Sequence, residues 1–188
     1  MLVDQAAEWS LAQRRLHGWT AAFVTLAFAL AWVMVGVPLP ALLLKFLLYQ
    51  LHKTLGLAAL ALTLARGVLR WRRGRPAWNE SIAPWQRQAA RVVHAALYGL
   101  LLVVPVLGYF TAASAPAAIP TFFLGFIPIP HVIGPDAAAF AVLAPVHRAA
   151  AVVLIVLACG HAAAAWHNQA RGLVPLRTMW RGGRPRHR

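Results

Sequence analysis

Four apolar stretches dominate this chain: approximately Leu16–Val37, Leu42–Ala65, Val92–Ala113 and Phe140–Trp166. Each is long enough to cross about 30 Å of hydrocarbon as a helix. A backbone in lipid must satisfy its own hydrogen bonds, so such stretches fold as helices and not as open strands. Hydrophobic residues make up 61% of the sequence, against roughly 45–50% in soluble domains. The expected fold is an all-α membrane protein, a four-transmembrane-helix bundle, and the length of 188 residues fits one domain.

The net charge of +14 raises nucleic acid as a partner, but the placement of the charge argues for a membrane. Arg66, Arg70, Arg72, Arg73, Arg75, Arg87 and Arg91 fall around the link between the second and third stretches, against the single acid Glu80. Arg171, Arg177, Arg181, Arg184, Arg186 and Arg188 follow the fourth stretch, the last five within a basic tail over 174–188. The opposite connections carry only Lys45 and Asp136. Lys/Arg excess in short loops marks the cytoplasmic side. Both termini are therefore expected inside, and the loops 38–45 and 114–139 outside. The basic loops are read as setting topology and meeting anionic lipid, with no nucleic acid as partner. Arg14 and Arg15 precede the first stretch as in a signal peptide, but the run is long and no A-x-A site follows, so it is expected to be retained.

Within this topology the histidines fall into a pattern. His147 and His161 are fourteen residues apart on the fourth stretch. Fourteen steps of about 100° bring both onto nearly one helix face, about 21 Å apart along the axis. The fourth stretch enters from outside, so His147 is shallow on the outer side and His161 is deep. His52, early in the second stretch, shares the depth of His147, and His17, at the start of the first, shares that of His161. A lone intramembrane histidine is often an interhelical hydrogen-bond partner. Two pairs matched in depth instead suggest the ligands of two haem irons inside a helix bundle. Zinc and copper fit less well, because no carboxylate or thiolate stands among these residues.

His94 opens the third stretch at much the same depth as His17, and spacing allows either to serve as the inner ligand. His131 lies in a Pro-rich outer loop, a poor platform for a fixed ligand. His167 follows the fourth stretch beside Trp166 and Asn168, as an interfacial polar group or a quinone or proton contact. Cys159 is the sole cysteine. It excludes C-x-x-C-H attachment, so the haems are expected to be non-covalent and b-type. Within the fourth stretch it reads as a small packed apolar residue.

The chain resembles the bacterial cytochrome b561 family, related to the b-type cytochrome subunits of nickel hydrogenases. The resemblance covers about residues 10–180. It is carried by R-L-H-G-W at Arg15–Trp19, L-H-K-T-L-G at Leu51–Gly56, L-A-R at Leu64–Arg66 and A-R-V-V-H-A-A-L-Y at Ala90–Tyr98. It continues through V-P-V-L-G at Val104–Gly108, H-R at His147–Arg148, G-H-A-A-A-A at Gly160–Ala165 and L-R-T-M at Leu176–Met179. The resemblance implies haem ligands at His17, His52, His147 and His161, favouring His17 over His94, in the inner membrane of a bacterium. It departs from the family in having the single His167 where an H-H pair is usual.

Lys53 and Arg148 directly follow two of these histidines, and Lys45 lies near them. Their long side chains suit haem propionates, and together they form a positive mouth for a small anion. Some family members oxidise superoxide outside and reduce ubiquinone, and the resemblance implies that activity here. The alternative is an electron-carrying anchor for a separate dehydrogenase or periplasmic cytochrome. The apolar loop Pro116–Pro135, with Phe122, Phe123 and Phe126, is expected to fold over the outer site.

Overall fold

The computed structural model describes residues 9–74, 78 and 82–173. Arg75, Glu80 and the basic tail 174–188 lie outside the described residues. Four helices account for most of the chain: α1 (Leu11–Gly36), α2 (Leu42–Arg73), α3 (Pro84–Ser114) and α4 (Ala137–Ala170). All four are long and apolar enough to cross a membrane. Each contains one of the four apolar stretches, apart from a residue at the end of the first, and most extend well past it.

Local chemistry explains these ends. The Ser10 hydroxyl accepts from Gln13 N–H, and the Gln13 side chain accepts from Ser10 N–H, a capping box that starts α1. A single 3₁₀ turn, Leu39–Ala41, leads straight into α2. Lys45 therefore lies in the first turns of α2 and not in a loop, and its ammonium donates to Val37 C=O at 2.8 Å. At the other end α2 runs through Arg70, Arg72 and Arg73, where cations complement the helix dipole. It stops at Gly74, whose φ of 67° favours glycine. Pro84 opens α3 at the first helical turn. Asp136 accepts from Ala138 and Ala139 N–H and starts α4.

The connection between α3 and α4 is more ordered than a loop. Thr121–Phe123 (β1) and Ile127–Ile129 (β2) pair as an antiparallel hairpin, Thr121 opposite Ile129. Leu124 and Gly125 take φ of 56° and 83°. Tight hairpin turns demand positive φ, which leucine adopts reluctantly. Leu124 N–H donates to Thr54 Oγ1 at 3.1 Å, and this bond to α2 anchors the strained residue.

The helices pack as α1 along α2 and α3 along α4, joined through α2 and α3, while α4 touches α1 only slightly. The packed centre is small, with Leu101, Val104 and Leu154 surrounded by Val24, Leu97, Leu100, Ala150 and Ala151. Most large apolar side chains point outward, among them Leu43, Val142, Val153 and Val156, as expected where lipid is the solvent. Trp71, Trp85 and Trp166 are exposed at the end where the arginines gather, the headgroup position that tryptophan favours. Cys159 is exposed on α4 and not packed in the bundle, a correction to the sequence expectation.

Candidate haem sites

The ends of the bundle are chemically distinct. The hairpin end holds the hairpin and the α1–α2 turn; the basic end holds the start of α1, the α2–α3 link and the end of α4.

At the hairpin end, α2 and α4 bring the rings of His52 and His147 to a centroid separation of 6.3 Å, with planes at 84°. Neither ring is loose. His52 Nδ1 lies 2.8 Å from Ala27 C=O on α1, and His147 Nδ1 lies 3.0 Å from Val104 C=O on α3. A carbonyl only accepts, so each Nδ1 carries the proton and donates it. Each Nε2 then keeps its lone pair, the state of a metal-ligating imidazole whose other nitrogen is fixed by a backbone acceptor. The segment Val104–Gly108 does two things for His147. Val104 supplies the carbonyl, and Gly108, one turn on, supplies space: a Cβ there would stand 2.9 Å from His147 Cε1.

At the basic end, α1 and α4 bring the rings of His17 and His161 to the same separation, 6.3 Å, with planes at 83°. His94 on α3 stands closer to His161, at 5.1 Å and 68°. Arg66 Nη2 lies 3.1 Å from His17 Nδ1, and its guanidinium lies 5.1 Å from the Tyr98 ring centroid.

These distances allow a test of fit. An iron with imidazole bonds of about 2 Å on either side holds coaxial ring centroids about 6.3 Å apart. His52 with His147, and His17 with His161, meet that spacing; His94 with His161 falls about 1 Å short. The residues fit b-type haem at both pairs, and α4 supplies one ring to each.

The remaining sequence candidates lie around the first pair or away from both. Lys53 Nζ approaches Pro120 C=O at 3.4 Å and Ile119 C=O at 3.5 Å, which puts its charge at the base of the hairpin. Arg148 is exposed. His131 lies 2.9 Å from Thr121 Oγ1 through Nε2 and packs edge-on to Tyr109. Burial, followed by the nearby Lys53 charge, pulls its pKa below the usual histidine value. His167 is exposed on the last turn of α4, six residues from His161, which turns it well away from that face.

Gln50 and Thr54 were not singled out in the sequence. One turn apart on α2, they bracket His52 and hold the hairpin. Gln50 Nε2 donates to Pro120 C=O at 2.8 Å, and Phe122 N–H donates to Gln50 Oε1 at 3.0 Å. Both residues are buried. Two polar side chains at i and i+4 in an apolar helix were the visible signal. Phe122 and Phe123 are half-buried on the docked strand, whereas Phe126 is exposed beyond the turn and covers nothing. Replacing Gln50 with leucine removes both of its part-buried hydrogen bonds to the hairpin, a loss of about 0.5–1.5 kcal/mol for each. The hairpin amides around Phe122 are then expected to exchange hydrogen faster, while those of α2 do not.

Two facing imidazole pairs in a membrane bundle, one towards each end, are an arrangement that suits the b-type cytochrome class. The model of the prokaryotic cytochrome b561 family matches residues 8–182. The chain belongs to that family, and is therefore a multi-pass b-type haem membrane protein of electron transfer. No curated protein matches the chain.

Proposed function

We propose that this chain binds two haems, one between His52 and His147 and one between His17 and His161, and passes electrons from superoxide to ubiquinone. The single observation that carries the reading is the repeated geometry: two imidazole pairs with one separation, both nearly perpendicular, on opposite sides of the bundle. Bound haem supplies reversible one-electron chemistry at each pair.

The chain's own residues supply direction. Lys/Arg excess makes the basic end cytoplasmic, in the inner membrane, and turns the hairpin outward. Lys53 and Arg148 flank the outer pair of histidines. Asp136 is the only acidic side chain among the described residues, and it is engaged in capping α4. The outer mouth is therefore positive and attracts a small anion. Superoxide gives up one electron there and leaves as dioxygen. Two such electrons and two protons convert one ubiquinone to ubiquinol. Gln50 and Thr54 keep the hairpin on α2 beside His52, which limits water at that site.

Neutralising the mouth with Lys53→Gln and Arg148→Gln is expected to slow superoxide-driven haem reduction about tenfold at low salt and to flatten its salt dependence. Stopped-flow spectroscopy reads both. An unchanged rate contradicts the anion-steering role. Reduction only by a partner protein, and not by superoxide, points to the carrier or anchor function.

A further inference from the structure

Arg66 contacts the ring nitrogen of His17 that would carry the proton in a haem ligand. A guanidinium only donates hydrogen bonds. The Nδ1 of His17 that faces Arg66 Nη2 at 3.1 Å must therefore hold a lone pair, which puts the ring proton on Nε2. An imidazole in that state has no free lone pair on Nε2 to give to iron. His52 and His147 differ: each presents its Nδ1 to a backbone carbonyl instead of a cation.

A second cation at this end has a buried nitrogen without a hydrogen-bond partner. Arg14 precedes His17 by three residues, so both lie on one face of α1, with Arg14 a turn nearer the basic end. Its Nε is buried and makes no hydrogen bond, a costly state for a charged group. The described residues at this end hold no carboxylate to pair with either arginine. Arg66 is otherwise held by the face of Tyr98, which Arg70 also approaches at 5.8 Å. Two half-buried guanidiniums, Arg66 against His17 and Arg14 one turn along α1, thus lie at this end with no carboxylate among the described residues. A b-type haem carries two carboxylates, and the planar fork of arginine matches a carboxylate with two parallel bonds.

We infer that Arg14 and Arg66 form the carboxylate-binding cradle of the haem held by His17 and His161: with Arg66 on a haem propionate, His17 would carry its proton on Nδ1 and turn the Nε2 lone pair to the iron. The inference rests on the proposed haem at His17 and His161. Arg14 and Arg66 act here as positioning residues, and their positive charge also favours the reduced state of that haem.

The test compares Arg66→Met, Arg14→Met and Arg66→Lys with the parent holoprotein by redox titration and by haem transfer to apomyoglobin. The methionine variants are expected to lower the midpoint potential of the basic-end haem alone and to speed its loss about tenfold or more. Arg66→Lys keeps the potential near its parent value but still speeds loss, because a point charge replaces the fork. The haem at His52 and His147 reports in the same molecule that the bundle is intact. Unmoved potential and haem loss in both methionine variants overturn the inference, as does an equal shift at both haems. A parent protein with a single haem overturns the two-haem reading, and the cradle with it, before any substitution is compared.

Discussion

Replacing His147 with alanine is expected to reduce the bound haem from two per chain to one and to abolish fast reduction by superoxide. His147 faces His52 at the hairpin end, and both are held by backbone carbonyls. Without it, His52 offers the iron a single ligand, and no other described imidazole is paired with it. The haem at His17 and His161 is expected to stay, because the two sites have no ligand in common. Dithionite then still reduces one low-spin haem, whereas superoxide-driven reduction falls by about a hundredfold or more, since loss of an entry site removes far more than the 1.4 kcal/mol that a tenfold change represents. The His161→Ala variant reverses the pattern. Pyridine haemochrome assay against protein concentration measures both. Two low-spin haems in the His147→Ala protein would refute the assignment at that site.

The second large effect is expected at a residue without a side chain. A Cβ at Gly108 would stand 2.9 Å from His147 Cε1 and 3.4 Å from its Nδ1. Two terms then oppose each other. Alanine gains about 1 kcal/mol of helix propensity over glycine, and the clash costs about 1–3 kcal/mol. Propensity acts on the whole of α3, but the clash acts on the ring. Gly108→Ala is therefore expected to leave thermal stability near the parent value while shifting the spectrum and potential of the hairpin-end haem. Gly108→Val, with a branched side chain, is expected to lose that haem. Gly99 on the same helix has open space around it, so Gly99→Ala shows the propensity effect alone. Equal haem content and spectra in the Gly108→Val and Gly99→Ala proteins would show that the close approach has no bearing on the site.

The sequence carried the membrane architecture almost entirely. Uninterrupted apolar length compels helices in lipid, and the four helices follow. Their ends were less legible. Hydropathy falls at the arginines near residue 66, but a helix continues through arginine readily, and α2 ends only at Gly74. The hairpin was missed because Pro-rich composition reads as irregular. Its order comes from Gln50 and Thr54, about seventy residues earlier in the chain. For the sites, depth from topology pairs the same histidines that the structure brings to 6.3 Å. Depth could not separate His17 from His94, since both enter at one level. The 5.1 Å approach of His94 to His161 is a matter of lateral packing. The acceptors of His52 and His147 are backbone carbonyls, and no residue type announces them. Val104–Gly108 was visible as a motif, but its two uses became clear only with α4 laid against it.

The central claim is that each haem lies between two nearly perpendicular imidazoles. Perpendicular ring planes donate into different iron orbitals and leave those orbitals almost equal in energy, while parallel planes split them. Low-temperature electron paramagnetic resonance of the oxidised protein, with spins counted against protein, distinguishes the two arrangements directly. The angles of 83° and 84° predict two ferric centres per chain, both with the highly anisotropic low-spin signal of perpendicular axial rings. A rhombic low-spin signal, a high-spin signal or one spin per chain would contradict the account.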